Sequence, residues 1–146
     1  MMNCEIAAIF EKLAFFLSLK NENDFKIRAY LRAAKSIQKY PIPLEEVLAA
    51  GEALTKIDSV GKIIAKKIEE LIIFNELKAL TEIYREYPES LHELNRIKGI
   101  GPKTIHKLYH SYHIQSLRQL RDAFVNNDPL DIPHTYKKRI RDYFQC

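Results

Sequence analysis

Cysteine is almost missing from this chain: there are two in 146 residues, Cys4 and Cys146, near opposite ends and without a CxxC spacing. Neither a disulfide framework nor thiolate zinc ligation is indicated, and reduced thiols are expected. No apolar run is long enough to cross a bilayer, because the apolar stretches at Ile6–Phe10 and Leu71–Phe74 are short and have charges close by. A membrane partner is therefore not expected. Glu5 and Glu11 interrupt the apolar start, so no cleavable signal peptide is read there. The expected location is intracellular, cytoplasmic or nucleoid-associated if the source is bacterial. No segment alternates apolar and polar residues as a half-buried strand does, so the expected fold class is all-α. No Asp-x-Asp pair occurs anywhere, and without one the chain lacks the usual seat for two catalytic metal ions, so it is not expected to polymerise nucleotides alone.

What is present is enough apolar material for a core, at 47% hydrophobic residues, and a charge that is small in total and uneven in placement. The net charge is +4. Residues 1–95 carry 13 Lys and Arg against 15 Asp and Glu, whereas residues 96–146 carry 10 against 4. The segment Lys20–Lys39 is also basic, and Glu69–Glu93 is acidic. A basic strip backed by an acidic patch suits an oriented polyanion binder, although a solvated charged surface has the same composition. Apolar spacing predicts helices over Cys4–Leu19, Phe25–Lys39, Leu44–Ala50, Glu76–Tyr87, Ser116–Asn126 and His134–Phe144. Pro88 after the fourth of these marks the expected boundary, giving one domain over 1–87 and a second over 88–146.

Glycine is scarce, four in the whole chain, and three of the four lie in two stretches of similar design. LTKIDSVGKIIAKKIEEL (Leu54–Leu71) and LNRIKGIGPKTIHKLY (Leu94–Tyr109) each read as an apolar residue, a tight turn and an amphipathic helix with lysine near its start. This is the pattern of a helix-hairpin-helix, in which backbone N–H groups at a helix start meet a nucleic-acid phosphate without reading bases. In the second copy Gly99 and Gly101 flank Ile100 and Pro102 opens the helix, so the amides near Gly101 to Thr104 are expected to face a phosphate, with Lys103 and Lys107 adding charge. The first copy keeps only Gly61, and Asp58 and Ser59 stand where a proline-glycine pair is expected. An ordinary helix start is the competing reading of both. His106, His110 and His113 recur at helical spacing, but with no acidic or thiol partner nearby they read as surface or phosphate-contacting residues.

Lys67 is the residue with the least ordinary position. Advancing about 100° per residue, it falls inside an apolar arc made by Ile63, Ile64, Ile68, Leu71, Ile72 and Phe74, whereas Lys62 and Lys66 point elsewhere. A lysine held against an apolar wall near other cations has its ammonium form disfavoured, and the free amine is a Schiff-base nucleophile. A stem that snorkels across apolar surface to water explains the same position.

The run FKIRAYLRAAKSIQKYP (Phe25–Pro41), then VGKIIAKKIEEL, then IKGIGPKTIHKLY, resembles in order and content the amino-terminal region of family X DNA polymerases, the group that includes polymerase beta, over roughly Glu5 to Phe144. The resemblance implies a lyase-like domain followed by a DNA-holding subdomain, without the palm domain. In that family the lyase removes 5′-deoxyribose phosphate from incised abasic sites, and the nucleophile falls on Lys67. The 5′-phosphate pocket falls on Lys26 and Tyr30, while a further phosphate-binding lysine falls on Ile63, with Lys62 and Lys66 able to replace some of its charge. DNA contacts are expected at Gly61, Gly99, Gly101, Lys103, Thr104 and Lys107. IPHTYKKRIRDYF (Ile132–Phe144) looks like a degenerate third hairpin, with its lysines and arginines, Lys137, Lys138, Arg139 and Arg141, as phosphate ligands or as part of a solvated face. The resemblance also implies a monovalent cation, Na+ or K+, at each hairpin, held by carbonyls of Thr55, Ile57 and Val60 and of Asn95, Ile97 and Ile100.

Three functions are compatible with these features. The first is a sequence-independent DNA-binding module that favours gapped, nicked or 5′-phosphorylated DNA in repair, with DNA as partner and a separate polymerase or ligase acting beside it. The second is a standalone lyase acting through Lys67. In the third, the hairpins have become helix-packing elements of a protein-docking module.

Overall fold

The computed structural model describes residues 1–145, and Cys146 lies outside the described residues. Among the described residues eight α-helices follow one another: α1 (Asn3–Leu19), α2 (Asp24–Lys39), α3 (Leu44–Ala49), α4 (Lys62–Phe74), α5 (Lys78–Ile83), α6 (Pro102–Tyr112), α7 (Leu117–Val125) and α8 (His134–Phe144). Short 3-10 segments at Leu54–Lys56 and Glu89–Arg96 precede α4 and α6. No strand occurs among the described residues, as the apolar spacing implied.

The chain divides into two compact units, Met1–Ile83 and Tyr84–Cys146. The division falls four residues before the Pro88 expected from the sequence, and its cause is α5. Its helical pattern reads on to Tyr87, yet the helix stops at Ile83. The Tyr87 ring instead lies against His106 and Tyr109 of α6, at 6.3 and 6.0 Å between ring centroids, so residues 84–87 belong to the second unit.

In the first unit α1 is the spine. Nine of its residues are buried, among them Ile6, Phe10, Leu13 and Phe16, and they meet Ile27, Tyr30, Ala33, Ala34 and Ile37 of α2. Small alanines on α2 allow close approach of the two helices. Asn23 caps α2 by accepting from the Phe25 N–H at 2.8 Å. The Asn3 side-chain amide holds the connection to α3: it donates to Ile42 O at 3.0 Å and accepts from Leu44 N at 2.9 Å. Pro41 and Pro43 keep that connection from continuing the helix. The second unit builds its core from Leu91, Leu94, Ile97, Ile105, Leu108, Leu120 and Ile140, each nearly inaccessible to solvent. No charged or polar residue is buried among the described residues of either unit, so the polar chemistry lies on the surface.

Candidate nucleic-acid interface

The two glycine-bearing stretches fold into the same backbone device in each unit. In the first, Ile57 N–H donates to Leu54 O at 3.1 Å, Val60 N–H to Ile57 O at 3.1 Å, and Ala65 N–H to Gly61 O at 2.9 Å. In the second, Ile97 donates to Leu94 at 3.2 Å, Ile100 to Ile97 at 3.3 Å, and Ile105 to Gly101 at 3.1 Å. Every partner is shifted by 40 positions, 57 to 97 and 61 to 101. The apolar residues at these points are the anchors, because Leu54, Ile57, Val60, Leu94, Ile97 and Ile100 are all buried.

The position before the buried Val60 or Ile100 must carry positive φ, as the third residue of a type II turn does. Gly99 meets this at +89°. Ser59 occupies the same position at +63°, so the first hairpin closes without its glycine. A left-handed L-residue costs roughly 1–2 kcal/mol, which burial of the neighbouring Ile57 and Val60 offsets.

Gly61 and Gly101 play a different part from the one their type suggests. Both are extended, with φ of −85° and −101°, which any residue adopts. A Cβ at either position would meet no protein atom within 4 Å. Nothing inside the protein demands glycine here, and the surface above each helix start is open to something from outside. Neither α4 nor α6 is capped by a side chain, and among the described residues the N–H groups of Lys62, Ile63, Lys103 and Thr104 have no backbone partner. Unpaired amides at a helix start carry partial positive charge and accommodate an anion.

The charges around the two starts differ. Lys103 is exposed and Thr104 half-buried beside Gly101. The equivalent of Lys103 in the first hairpin is Ile63, 70% exposed, and the equivalent of Lys98 is Asp58. Lys107 points toward Asp131 and forms an exposed ion pair of 3.3 Å. In α8, Lys137 is half-buried and Lys138 exposed. Arg139, one of the cations expected from the sequence to meet phosphate or solvent, donates from Nη1 to Gly99 O at 2.8 Å and so joins α8 to the turn. No local pattern signals that contact, since 40 residues separate the partners.

The residues expected to act on a 5′-end lie in the first unit. Lys26, Lys62 and Lys66 are exposed. Tyr30 is 3% exposed, its ring stacked on Phe10 at 5.9 Å, and burial pushes its phenol pKa up. Lys67 is half-buried and takes part in no hydrogen bond or ion pair among the described residues. Its apolar arc is only partly a wall: Ile64, Ile68 and Leu71 are buried, whereas Ile63 and Phe74, at 70% and 69% exposure, face water. The buried sector of α4 is narrower than the apolar sector, and Lys67 stands on its rim. The acidic Glu70 is turned away, accepting from Lys78 N–H at 2.6 Å.

Carbonyl oxygens at both turns are arranged alike. Those of Val60 and Ile100 accept no backbone hydrogen bond among the described residues, and those of Ile57 and Ile97 accept one each. Thr55 and Asn95 belong to the 3-10 segments just before. Oxygen lone pairs therefore remain at each turn, a donor set suited to a hard cation. His106 and His110 stack at 5.6 Å between ring centroids, and no cluster of three or more His, Cys, Asp or Glu able to hold a metal ion occurs among the described residues. Cys4 is an exposed free thiol, and no helix of the described residues is long and apolar enough to cross a membrane.

Residues 1–77, which contain α1 to α4 and the first turn, match the helix-hairpin-helix domain family. The chain belongs to that family. It is also 28% identical over 119 residues to the DNA polymerase/3′-5′ exonuclease PolX of Bacillus subtilis (strain 168), an alignment covering 82% of this chain and 20% of that protein. The chain thus spans about a fifth of the length of this curated relative. The family X resemblance of the motif order is borne out by this match. The family match ends at residue 77, while the second turn, around Gly99 and Gly101, repeats the backbone bonds of the first.

Proposed function

We propose that this helix-hairpin-helix chain is a sequence-independent DNA-binding module that favours gapped, nicked or 5′-phosphorylated DNA. The observation that carries the reading is the pair of hairpins with one backbone geometry, each ending in an exposed glycine whose open face nothing in the protein fills. Similarity to a DNA polymerase supports DNA as the polyanion. Each helix start offers amides to one short stretch of backbone, and the surplus of cations after residue 95 supplies the long-range attraction. A preference for interrupted strands follows from exposed Lys26, Lys62 and Lys66 on the first unit, which suit a terminal phosphate better than a continuous backbone. DNA held in this way is a substrate for a separate polymerase or ligase, and repair is the process it fits.

We also propose a monovalent cation at each turn, on the carbonyls of Thr55, Ile57 and Val60 and of Asn95, Ile97 and Ile100. Such an ion would add positive charge beside the bound phosphate. The main reading is tested by titrating the chain against duplexes of shuffled sequence at stepped salt. With about four to six phosphates neutralised, log affinity should fall with log salt at a slope of roughly −4 to −5, equally for every sequence. Strong preference for one duplex, or no salt response, would refute it.

A second reading, 5′-deoxyribose phosphate lyase activity, is favoured by Lys67 alone: it is half-buried, without a partner among the described residues, and coincides with the nucleophile that the resemblance implies. Borohydride reduction on incised abasic DNA tests it. A crosslink lost in Lys67→Ala supports the lyase; no crosslink in the unaltered chain removes it.

A further inference from the structure

The side chain of Arg139 lies on the turn of the second hairpin. A Cβ placed on Gly99 would stand 2.6 Å from Arg139 Cδ, 2.7 Å from Nε and 2.9 Å from Cζ. Gly99 is therefore needed twice, for its φ of +89° and because the arginine occupies the room a side chain would take. The guanidinium is steadied from two directions: Nη1 donates to Gly99 O at 2.8 Å, and Cζ lies 5.3 Å from the centroid of the Tyr136 ring. Ile140, completely buried next along α8, anchors the helix that carries it.

We propose that Arg139 is a phosphate-binding residue of the second hairpin. A guanidinium has five N–H donors, and the turn uses one. No carboxylate pairs with Arg139 among the described residues, so the charge and the remaining donors face solvent. One residue separates Gly99 from Gly101, so their Cα atoms are at most about 7.6 Å apart, and the guanidinium held on Gly99 O is close to the start of α6. Arginine is the side chain whose planar fork meets a phosphate bidentately. Pinning it in advance also removes much of the rotamer entropy that a free arginine loses on binding. In the first hairpin the equivalent position is Ser59, which carries a side chain at the same positive φ where Gly99 has none. This inference rests on the DNA-binding reading and adds a ligand that is contributed from outside the hairpin itself.

The test is the salt dependence of DNA binding by the full chain and its Arg139→Gln and Arg139→Lys variants, alongside their melting temperatures. One phosphate contact contributes about 0.9 to the log–log slope. Arg139→Gln should lower the slope by that amount, losing roughly 3.5-fold less affinity than the unaltered chain between 50 and 200 mM salt. Arg139→Lys should keep the slope while binding more weakly, because the charge stays and the fork is lost. An unchanged slope in Arg139→Gln with a lowered melting temperature would make Arg139 a lock on the turn and overturn the proposal. A flat slope in the unaltered chain would instead refute DNA binding itself. Should the glutamine variant fail to fold, the Arg139 Nε–H resonance of the unaltered chain decides during titration with a 5′-phosphorylated duplex. A shift that tracks the Lys103 amide supports the contact, and a stationary signal refutes it.

Discussion

Gly101→Ala separates what the protein needs for folding from what it needs for binding. The residue is extended, and a Cβ there has no protein neighbour within 4 Å. On the folding side two small terms oppose each other. Alanine is a poorer N-cap than glycine by some tenths of a kcal/mol, while the stiffer unfolded chain stabilises by about 0.4–1 kcal/mol. The net change is within about 0.5 kcal/mol, a shift of the melting temperature of about 2–4 °C for a unit of this size. On the binding side the methyl stands over the unpaired amides of α6. Loss of one hydrogen bond to a charged group costs about 1.5–3 kcal/mol, or roughly 10- to 150-fold in Kd. Fluorescence anisotropy with a labelled duplex measures the second quantity and thermal unfolding the first. Binding within twofold of the unaltered chain would mean that no phosphate sits over Gly101. A melting temperature lowered by more than about 10 °C would mean that the glycine serves the fold, against the open space observed around it.

The same comparison at the first hairpin should give a smaller effect: Gly61→Ala weakens binding less than Gly101→Ala, because Asp58 and Ile63 stand where the second hairpin has Lys98 and Lys103; the reverse order in anisotropy would contradict this ranking. Ser59→Gly should stabilise the chain by about 0.5–1 kcal/mol by relieving a left-handed serine, and denaturant unfolding showing a loss instead would assign the serine side chain a role. Tyr84 has its phenol pushed up to about 12, by burial and then by the nearby Glu89 carboxylate. The neutral phenol is favoured in the folded state, so this contribution is full below pH 10 and lost as pH rises from 10 to 12; the stability gap between the unaltered chain and Tyr84→Phe should shrink over that window, and a constant gap would argue against it.

Much of the fold was legible because burial and periodicity coincide. α1 and α2 begin one residue earlier than apolar spacing places them, and α8 spans the same His134–Phe144. The spacing misled where rings that look like a helical stripe turn to another element, as Tyr87 does toward α6. The turn at Ser59 was illegible for a different reason: positive φ in a serine leaves no mark in the sequence, and only the buried neighbours enforce it. The α4 arc shows the limit of angular reasoning, since hydrophobicity marks Ile63 and Phe74 as wall whereas packing leaves them in water. At the candidate site the hairpin glycines and Lys103 were legible from local pattern. Arg139 was legible only as one cation of the closing segment, and its contact with Gly99 was not, because it joins residues that are distant in sequence.

The central claim, that paired hairpins hold the backbone of interrupted DNA, is tested most directly by one competition titration. The full chain is bound to a labelled duplex carrying a one-nucleotide gap with a 5′-phosphate, then displaced with either that gapped duplex or an intact duplex of the same sequence. The account predicts that the gapped DNA competes more effectively and that its advantage falls when the 5′-phosphate is removed. Equal competition by the intact and gapped duplexes would contradict it.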